Sequence, residues 1–142
     1  MFLPTEVYHE IQRGLEEGYT FYSGVEEILH PRKEDGWLRL TSLRDESEVL
    51  AFSGMPAQLH AGEASCLAIA RQRSWLLLTD DKDARRHAGN WKVAATGTLG
   101  CLVLGIERNL WTLEESNGLL KRIIASGFYS PVTDLAGLLR KP

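Results

Sequence analysis

The sequence is short of several things, and each shortage excludes something. Among 142 residues there are two cysteines, Cys66 and Cys101. Both sit in apolar runs, and no Cys or His stands at metal-ligand spacing. That argues against a disulfide scaffold or a zinc finger and predicts two buried thiols in a reducing compartment. Long hydrophobic runs are missing too. The longest, Leu99–Ile106, is too short and too rich in glycine to cross a bilayer. Met1-Phe2-Leu3-Pro4 has neither the basic nor the long apolar region of a secretion signal. The expectation is a soluble cytoplasmic protein with no membrane partner. Positive charge is not in excess. Sixteen Lys and Arg against nineteen Asp and Glu leave a formal charge of −3, which excludes a generally basic nucleic-acid coat. A local basic patch, Arg71, Arg73, Arg85, Arg86 and Lys92, reads equally as an RNA path or a solvated face. There is no GxGxxG and no GxxxxGK[ST], so both nucleotide fingerprints are missing. HExxH and GxSxG are missing as well, against a zinc protease or serine hydrolase. His9, His30, His60 and His87 are scattered and read as surface or cap residues. Trp37, Trp75, Trp91 and Trp111 read as core.

What is present is ordinary globular material, 44% hydrophobic and 25% charged. The length suits one domain, residues 1–142, able to bury a core without help from a metal. Phe2-Leu3-Pro4 looks like the end of a strand. Thr5 then suits an N-cap, and Val7, Ile11 and Leu15 give an i, i+4, i+8 stripe, predicting an amphipathic helix from 5 to about 17. A shorter helix is predicted over Ser23–Leu29, stopped by Pro31. Trp37–Leu43 alternates, as a half-buried strand near a sheet edge does. Residues 45–52 suit a short helix, and from Gly62 an almost wholly apolar helix follows. Trp75–Thr79 reads as a central parallel strand buried on both faces. Lys92–Thr96 reads as another strand and Leu99–Arg108 as a helix. Thr112 and Glu115 form a capping box for a helix with Leu119, Leu120, Ile123 and Ile124 inward and Gly127 as C-cap. Ser130-Pro131 opens a last helix with Leu135, Leu138 and Leu139 inward. Strands alternating with helices predict an α/β fold with a mainly parallel sheet.

In such sheets ligands bind beyond the carboxyl ends of the strands. Acids from separate segments stand at those ends: Glu6 and Glu10 after Leu3, Glu63 at a helix start, and Asp80, Asp81 and Asp83 after Leu78. Thr96-Gly97-Thr98 follows the next strand. Converging carboxylates repel unless a cation neutralises them, and hard oxygen ligands select Mg²⁺ or Mn²⁺. A site of that kind activates water against a phosphodiester. The bland alternatives stay open. Asp80, Asp81 and Asp83 also suit helix caps paired with Lys82, Arg85 and Arg86. Glu63 also suits a first-turn acid, and Glu10 a partner of Arg13.

The combination resembles a family. Leu59-His60-Ala61-Gly62-Glu63-Ala64-Ser65, then an apolar helix, then Leu77-Leu78-Thr79-Asp80-Asp81-Lys82-Asp83-Ala84-Arg85, looks like a PIN domain. It is closest to the branch with a GE helix start, a DD…AR loop and a GTLG segment, here Gly97-Thr98-Leu99-Gly100. Pro4-Thr5-Glu6-Val7-Tyr8-His9-Glu10-Ile11 and Gly14 resemble the family's second acidic motif. The resemblance implies a three-layer α/β fold and an Mg²⁺- or Mn²⁺-dependent endoribonuclease, with RNA as partner. Many such proteins are toxins paired with an antitoxin. It implies Glu10, Glu63 and Asp81 as metal ligands and catalytic acids, with Asp80 or Asp83 as an accessory acid. Thr79, Arg85 and Thr98 would lie beside metal and phosphate. The family also carries an Asp-bearing strand and a helix before the equivalent of Phe2. Their absence from this sequence predicts weak metal binding, slow or no cleavage, and an open edge on Trp75–Thr79 that favours a homodimer. The alternative implied is a non-catalytic module that binds RNA or protein.

Overall fold

A computed structural model describes residues 1–20 and 23–140. In chain order the elements are β1 (Phe2–Pro4), α1 (Thr5–Glu16), α2 (Val25–Ile28), β2 (Leu29–His30), β3 (Leu38–Thr41), α3 (Glu46–Ser53) and α4 (Ala61–Arg73). There follow β4 (Leu77–Leu78), α5 (Lys82–Asn90), β5 (Ala95–Thr96), α6 (Thr98–Glu107), α7 (Leu113–Ala125) and a 3₁₀ turn at Ala136–Leu138. Helices and parallel strands together make the mixed α/β class that the sequence predicts, although the two do not alternate strictly. The chain forms two compact units. Unit 1 is Met1–Leu77 with Lys82–Ala94, and unit 2 is Leu78–Asp81 with Ala95–Pro142.

In unit 1, β1 and β2 both pair in parallel with β3, giving the order β1-β3-β2. β3 is therefore the middle strand of this sheet and not an edge. Its alternation survives only in part: Leu38 and Thr41 are buried, Arg39 and Leu40 exposed. The half-buried pattern reflects one covered face, and burial of a face does not tell an edge from a centre. The strand Leu29–His30 begins on what reads in sequence as the last residue of a helix. α2 is only four residues long, and Leu29 leaves it in extended conformation. Tyr8, Leu29 and Leu38 form one small core there, with Leu3, Val25 and Ile28 against it.

α1 covers the expected span, but its cap residue is Pro4, and Thr5 is already helical. Proline fits there because its fixed φ suits the entry and the missing N–H is not needed. α4 is buried along most of its length, with Leu67 and Ala68 fully enclosed. Leu67 and Ala70 pack with Leu77, Ala88 and Val93 in the larger core of unit 1. The far end of α4 is fastened by charge. Arg73 Nε donates to Glu48 Oε1 at 2.6 Å, and its other nitrogens reach Thr41 Oγ1 and the Ser42 carbonyl, each at 2.7 Å. The Arg44 amide adds a bond to Glu48 Oε2 at 2.6 Å. Two residues on, Phe2 stacks on Trp75 with ring centroids 4.6 Å apart.

β4 and β5 form a second, two-stranded sheet. The Leu77 amide bonds to the Ala94 carbonyl and the Thr79 amide to that of Thr96, both at 2.9 Å, so the strands run parallel. Leu77 is buried while Leu76 and Leu78 are exposed. The strand alternates, then, where a run buried on both faces is expected. Its apolar run is continuous in sequence, but among the described residues it pairs with one strand only. β5 is shorter than Lys92–Thr96 suggests because Lys92 sits at φ 56°, in a turn.

In unit 2, α6 and α7 pack through Leu102 and Leu120, with Leu135 closing the core. The capping box is complete: Glu115 N–H reaches Thr112 Oγ1 at 3.1 Å, and Thr112 N–H reaches Glu115 Oε2 at 2.7 Å. Gly127 follows at φ 103°, the left-handed exit. The last helix reduces to the 3₁₀ turn. Asn117 accepts the Leu135 amide at 2.9 Å and Asp134 the Ala136 amide at 2.8 Å, so side chains take bonds that a helix would use. Leu135 is buried, but Leu138 is exposed. Trp37 and Trp111 are exposed as well, not core. Trp111 still has a seat, since a Cβ on Gly105 would lie 2.2 Å from its ring.

Candidate functional site

The candidate acids fall in both units, and each group is described within its own. In unit 1, α1 carries Glu10 on the same face as Glu6, one turn earlier, and α4 begins at Ala61-Gly62-Glu63. The Glu10 carboxylate rests on that beginning: Gly62 N–H donates to Glu10 Oε1 at 3.2 Å. This is where a negative charge suits a helix, opposite its unpaired N–H groups. Gly62 leaves room for it, because a Cβ on residue 62 would stand 2.8 Å from Glu10 Oε1. The Gly-Glu pair in the sequence thus has two jobs. Gly62 admits one carboxylate and Glu63 supplies another beside it.

One turn along, Cys66 reports the local field. Its thiol is pushed up from its ordinary value to about 12, first by burial and then by the negative charges of Glu10, Glu6 and Glu63. The negative charges of Glu6, Glu10 and Glu63 thus all act on the first half of α4. Glu6 was not among the expected ligands. Its signal was the i, i+4 spacing to Glu10, which places both on one helix face. Asp83 and Arg85 also lie in unit 1, on α5, and both are exposed. Asp83 pairs with Arg86 at 3.2 Å, as the cap-and-pair reading expects.

In unit 2, Thr79, Asp80, Asp81 and Thr98 come together. Asp80 accepts two bonds from Thr98, from its amide at 2.9 Å and its hydroxyl at 2.5 Å. The Asp81 amide donates to Thr79 Oγ1 at 3.1 Å. The Asp80 charge also contributes, after burial, to raising the Cys101 thiol. Both cysteines are thiols, partly rather than fully buried. The basic patch is not a single unpaired surface. Arg73 belongs to the Glu48 network, and Arg71 lies over the Trp91 ring at 4.3 Å.

The donor chemistry was compared with a divalent cation. Carboxylate oxygens are the right kind of ligand for Mg²⁺ or Mn²⁺. Glu10 lies on α1 and Glu63 in the first turn of α4, two elements that pack together in one unit. Among the described residues, no three His, Cys, Asp or Glu stand together as a closed ligand group. Also among the described residues, no helix is long and apolar enough to cross a membrane.

A family model described as a PIN domain matches residues 1–141. No curated protein and no solved structure matches the chain. With nearly its whole length matched, the chain belongs to the PIN-domain family.

Proposed function

We propose, with PIN-domain membership as the premise, that this protein is a divalent-cation-dependent endoribonuclease. The observation that carries the reading is the Glu10–Gly62 bond, which joins two of the family-like acidic motifs across 52 residues at one helix start. Glu10 and Glu63 in unit 1 and Asp81 in unit 2 are the acids assigned to Mg²⁺ or Mn²⁺, through carboxylate oxygens. The cation, when bound, supplies a water acidic enough to attack a phosphodiester and a charge to steady the leaving oxygen. The chain's own part is to hold the acids in place. Gly62 N–H orients Glu10, and the start of α4 favours anionic groups. Arg85 is the residue assigned to orient phosphate, and Asp83 is an accessory acid. The setting that fits is cytoplasmic, as a toxin-type protein with a cognate antitoxin, assembled as a homo-oligomer.

A second reading has its own support. The acids do not stand together as a closed ligand group among the described residues. A non-catalytic module that binds RNA or protein needs no such group. The discriminating experiment incubates the full chain with labelled single-stranded RNA and Mg²⁺ or Mn²⁺. Cleavage that stops with chelator and in Asp81→Asn supports the nuclease. RNA retained without cleavage supports the module. Neither binding nor cleavage overturns RNA as the partner in both.

A further inference from the structure

The two adjacent aspartates after β4 are indistinguishable in sequence, and either suits a cation ligand. Their surroundings in unit 2 differ. Asp80 grips the first residue of α6 with both carboxylate oxygens, at 2.9 Å to the Thr98 amide and 2.5 Å to its hydroxyl. Gly97, the residue in the cap position of α6, has no side chain to offer. Asp80 therefore performs that capping from the loop after β4, with the charge sign a helix start prefers. The residues on either side are fixed as well. The Thr79 amide bonds to the Thr96 carbonyl at 2.9 Å, and the Asp81 amide to Thr79 Oγ1 at 3.1 Å. Behind them, a Cβ on Gly100 would stand 1.8 Å from Thr96 Oγ1, so only glycine lets that strand end lie against α6. The GTLG segment is thus the receiving half of a clamp, and Asp80 is the part that enters it.

We infer that Asp80 is a positioning residue and not a cation ligand: by locking onto Thr98 it fixes the turn that presents Asp81. This rests on the nuclease reading, in which Asp81 is the ligand. A bidentate hold on protein donors leaves Asp80 oriented toward α6, and a ligand sphere tolerates little displacement of its neighbour. The clamp makes a specific claim about Thr98: its hydroxyl acts through Asp80, so losing either partner has the same consequence.

The test is Mn²⁺ titration calorimetry on the full chain, with thermal melting of each variant alongside. Asp81→Asn is expected to abolish saturable binding. Asp80→Ala and Thr98→Val are each expected to weaken it about threefold to tenfold, with the double variant no worse than Asp80→Ala. Thr98→Ser restores the hydroxyl and returns the wild-type affinity. Asp80→Ala losing as much as Asp81→Asn while Thr98→Val loses nothing would make Asp80 a ligand and overturn the inference. If the wild-type chain binds no Mn²⁺, the nuclease reading fails, and melting then decides the clamp. Coupled losses at residues 80 and 98 retain it, and additive losses remove it.

Discussion

The two ends of helix α4 handle charge in opposite ways. At its C-terminal end Arg73 and Glu48 are 12% and 4% exposed and joined at 2.6 Å, and nearly every remaining polar atom has a donor or acceptor. At its N-terminal end Glu6, Glu10 and Glu63 gather with no basic partner among the described interactions, and Glu10 holds the helix by one longer bond of 3.2 Å. The first arrangement is what a stable fold wants from buried charge. The second leaves like charges together, a cost that a fold seldom keeps without use. One helix therefore separates a fastening end from an acidic end, which the nuclease reading makes its reactive end. The difference teaches where substitution should hurt folding and where it should hurt only function.

The largest effect expected is chemical and marks the reactive end. With its thiol pushed to about 12, Cys66 should hold about three orders of magnitude less thiolate at neutral pH than an ordinary cysteine. Alkylation followed by mass spectrometry should modify Cys101 well before Cys66. Because the folded state keeps the Cys66 proton that the unfolded chain gives up, stability should decline as pH rises from about 9 towards 12. Equal labelling of the two thiols would mean that burial and the nearby acids do not hold Cys66 protonated.

The fastening end is broken by Glu48→Ala. Leaving Arg73 buried without its partner should cost about 3–5 kcal/mol, read by urea denaturation. Hydrogen bonds from Arg73 and the Arg44 amide hold the Glu48 carboxyl below its ordinary value. That contribution is present above the unfolded carboxyl range and lost as pH falls through the lower folded value. Glu48→Gln should accordingly flatten the acid limb of the stability profile. An unchanged acid limb would show that the pair contributes little.

How much of this was readable beforehand follows the distance between partners. The α7 capping box was plain, since Thr112 and Glu115 are three residues apart and the bond is local. The helices α1, α4 and α6 were readable from periodicity and apolar content, because burial writes itself into spacing. The strand Leu29–His30 was not, since two residues carry no period, and its pairing with Leu38–Arg39 is a tertiary fact. Arg73 read as part of a basic patch because its partner lies 25 residues earlier. Glu10 and Glu63 stand out in sequence as acids at element ends, only the order of motifs makes them ligands, and that Gly62 seats Glu10 is visible only in three dimensions. The same holds for Asp80 and Thr98, each at an element boundary that sequence alone leaves indistinct.

A smaller effect sharpens the reactive end. In Gly62→Ala the new methyl would meet the Glu10 carboxylate at 2.8 Å, but that carboxylate is the tip of a flexible side chain and can swing away. The cost to folding should be modest, about 1 kcal/mol. Mn²⁺ affinity should fall out of proportion to it, because the displaced group is an assigned ligand. A large loss of stability with unchanged Mn²⁺ affinity would make Gly62 a packing residue alone.

The smallest effect is the sharpest, because it matches a chemically identical change at the other end. Glu10→Gln keeps an oxygen that accepts the Gly62 N–H, so the hydrogen bond survives. It gives up the favourable placing of negative charge at a helix start, about 0.3–1 kcal/mol. It also relieves repulsion from Glu6 and Glu63, which is of opposite sign and similar size. The two should nearly cancel, leaving stability within about 0.5 kcal/mol of wild type. Glu48→Gln, by contrast, removes the charge that Arg73 needs and should destabilise clearly. With Mn²⁺ added, the wild-type melting temperature should rise and that of Glu10→Gln should not, since only a ligand bound to the folded state stabilises it. If Glu10→Gln costs as much as Glu48→Gln and responds to Mn²⁺ like wild type, both ends of α4 are fasteners and the cation has no place at Glu10.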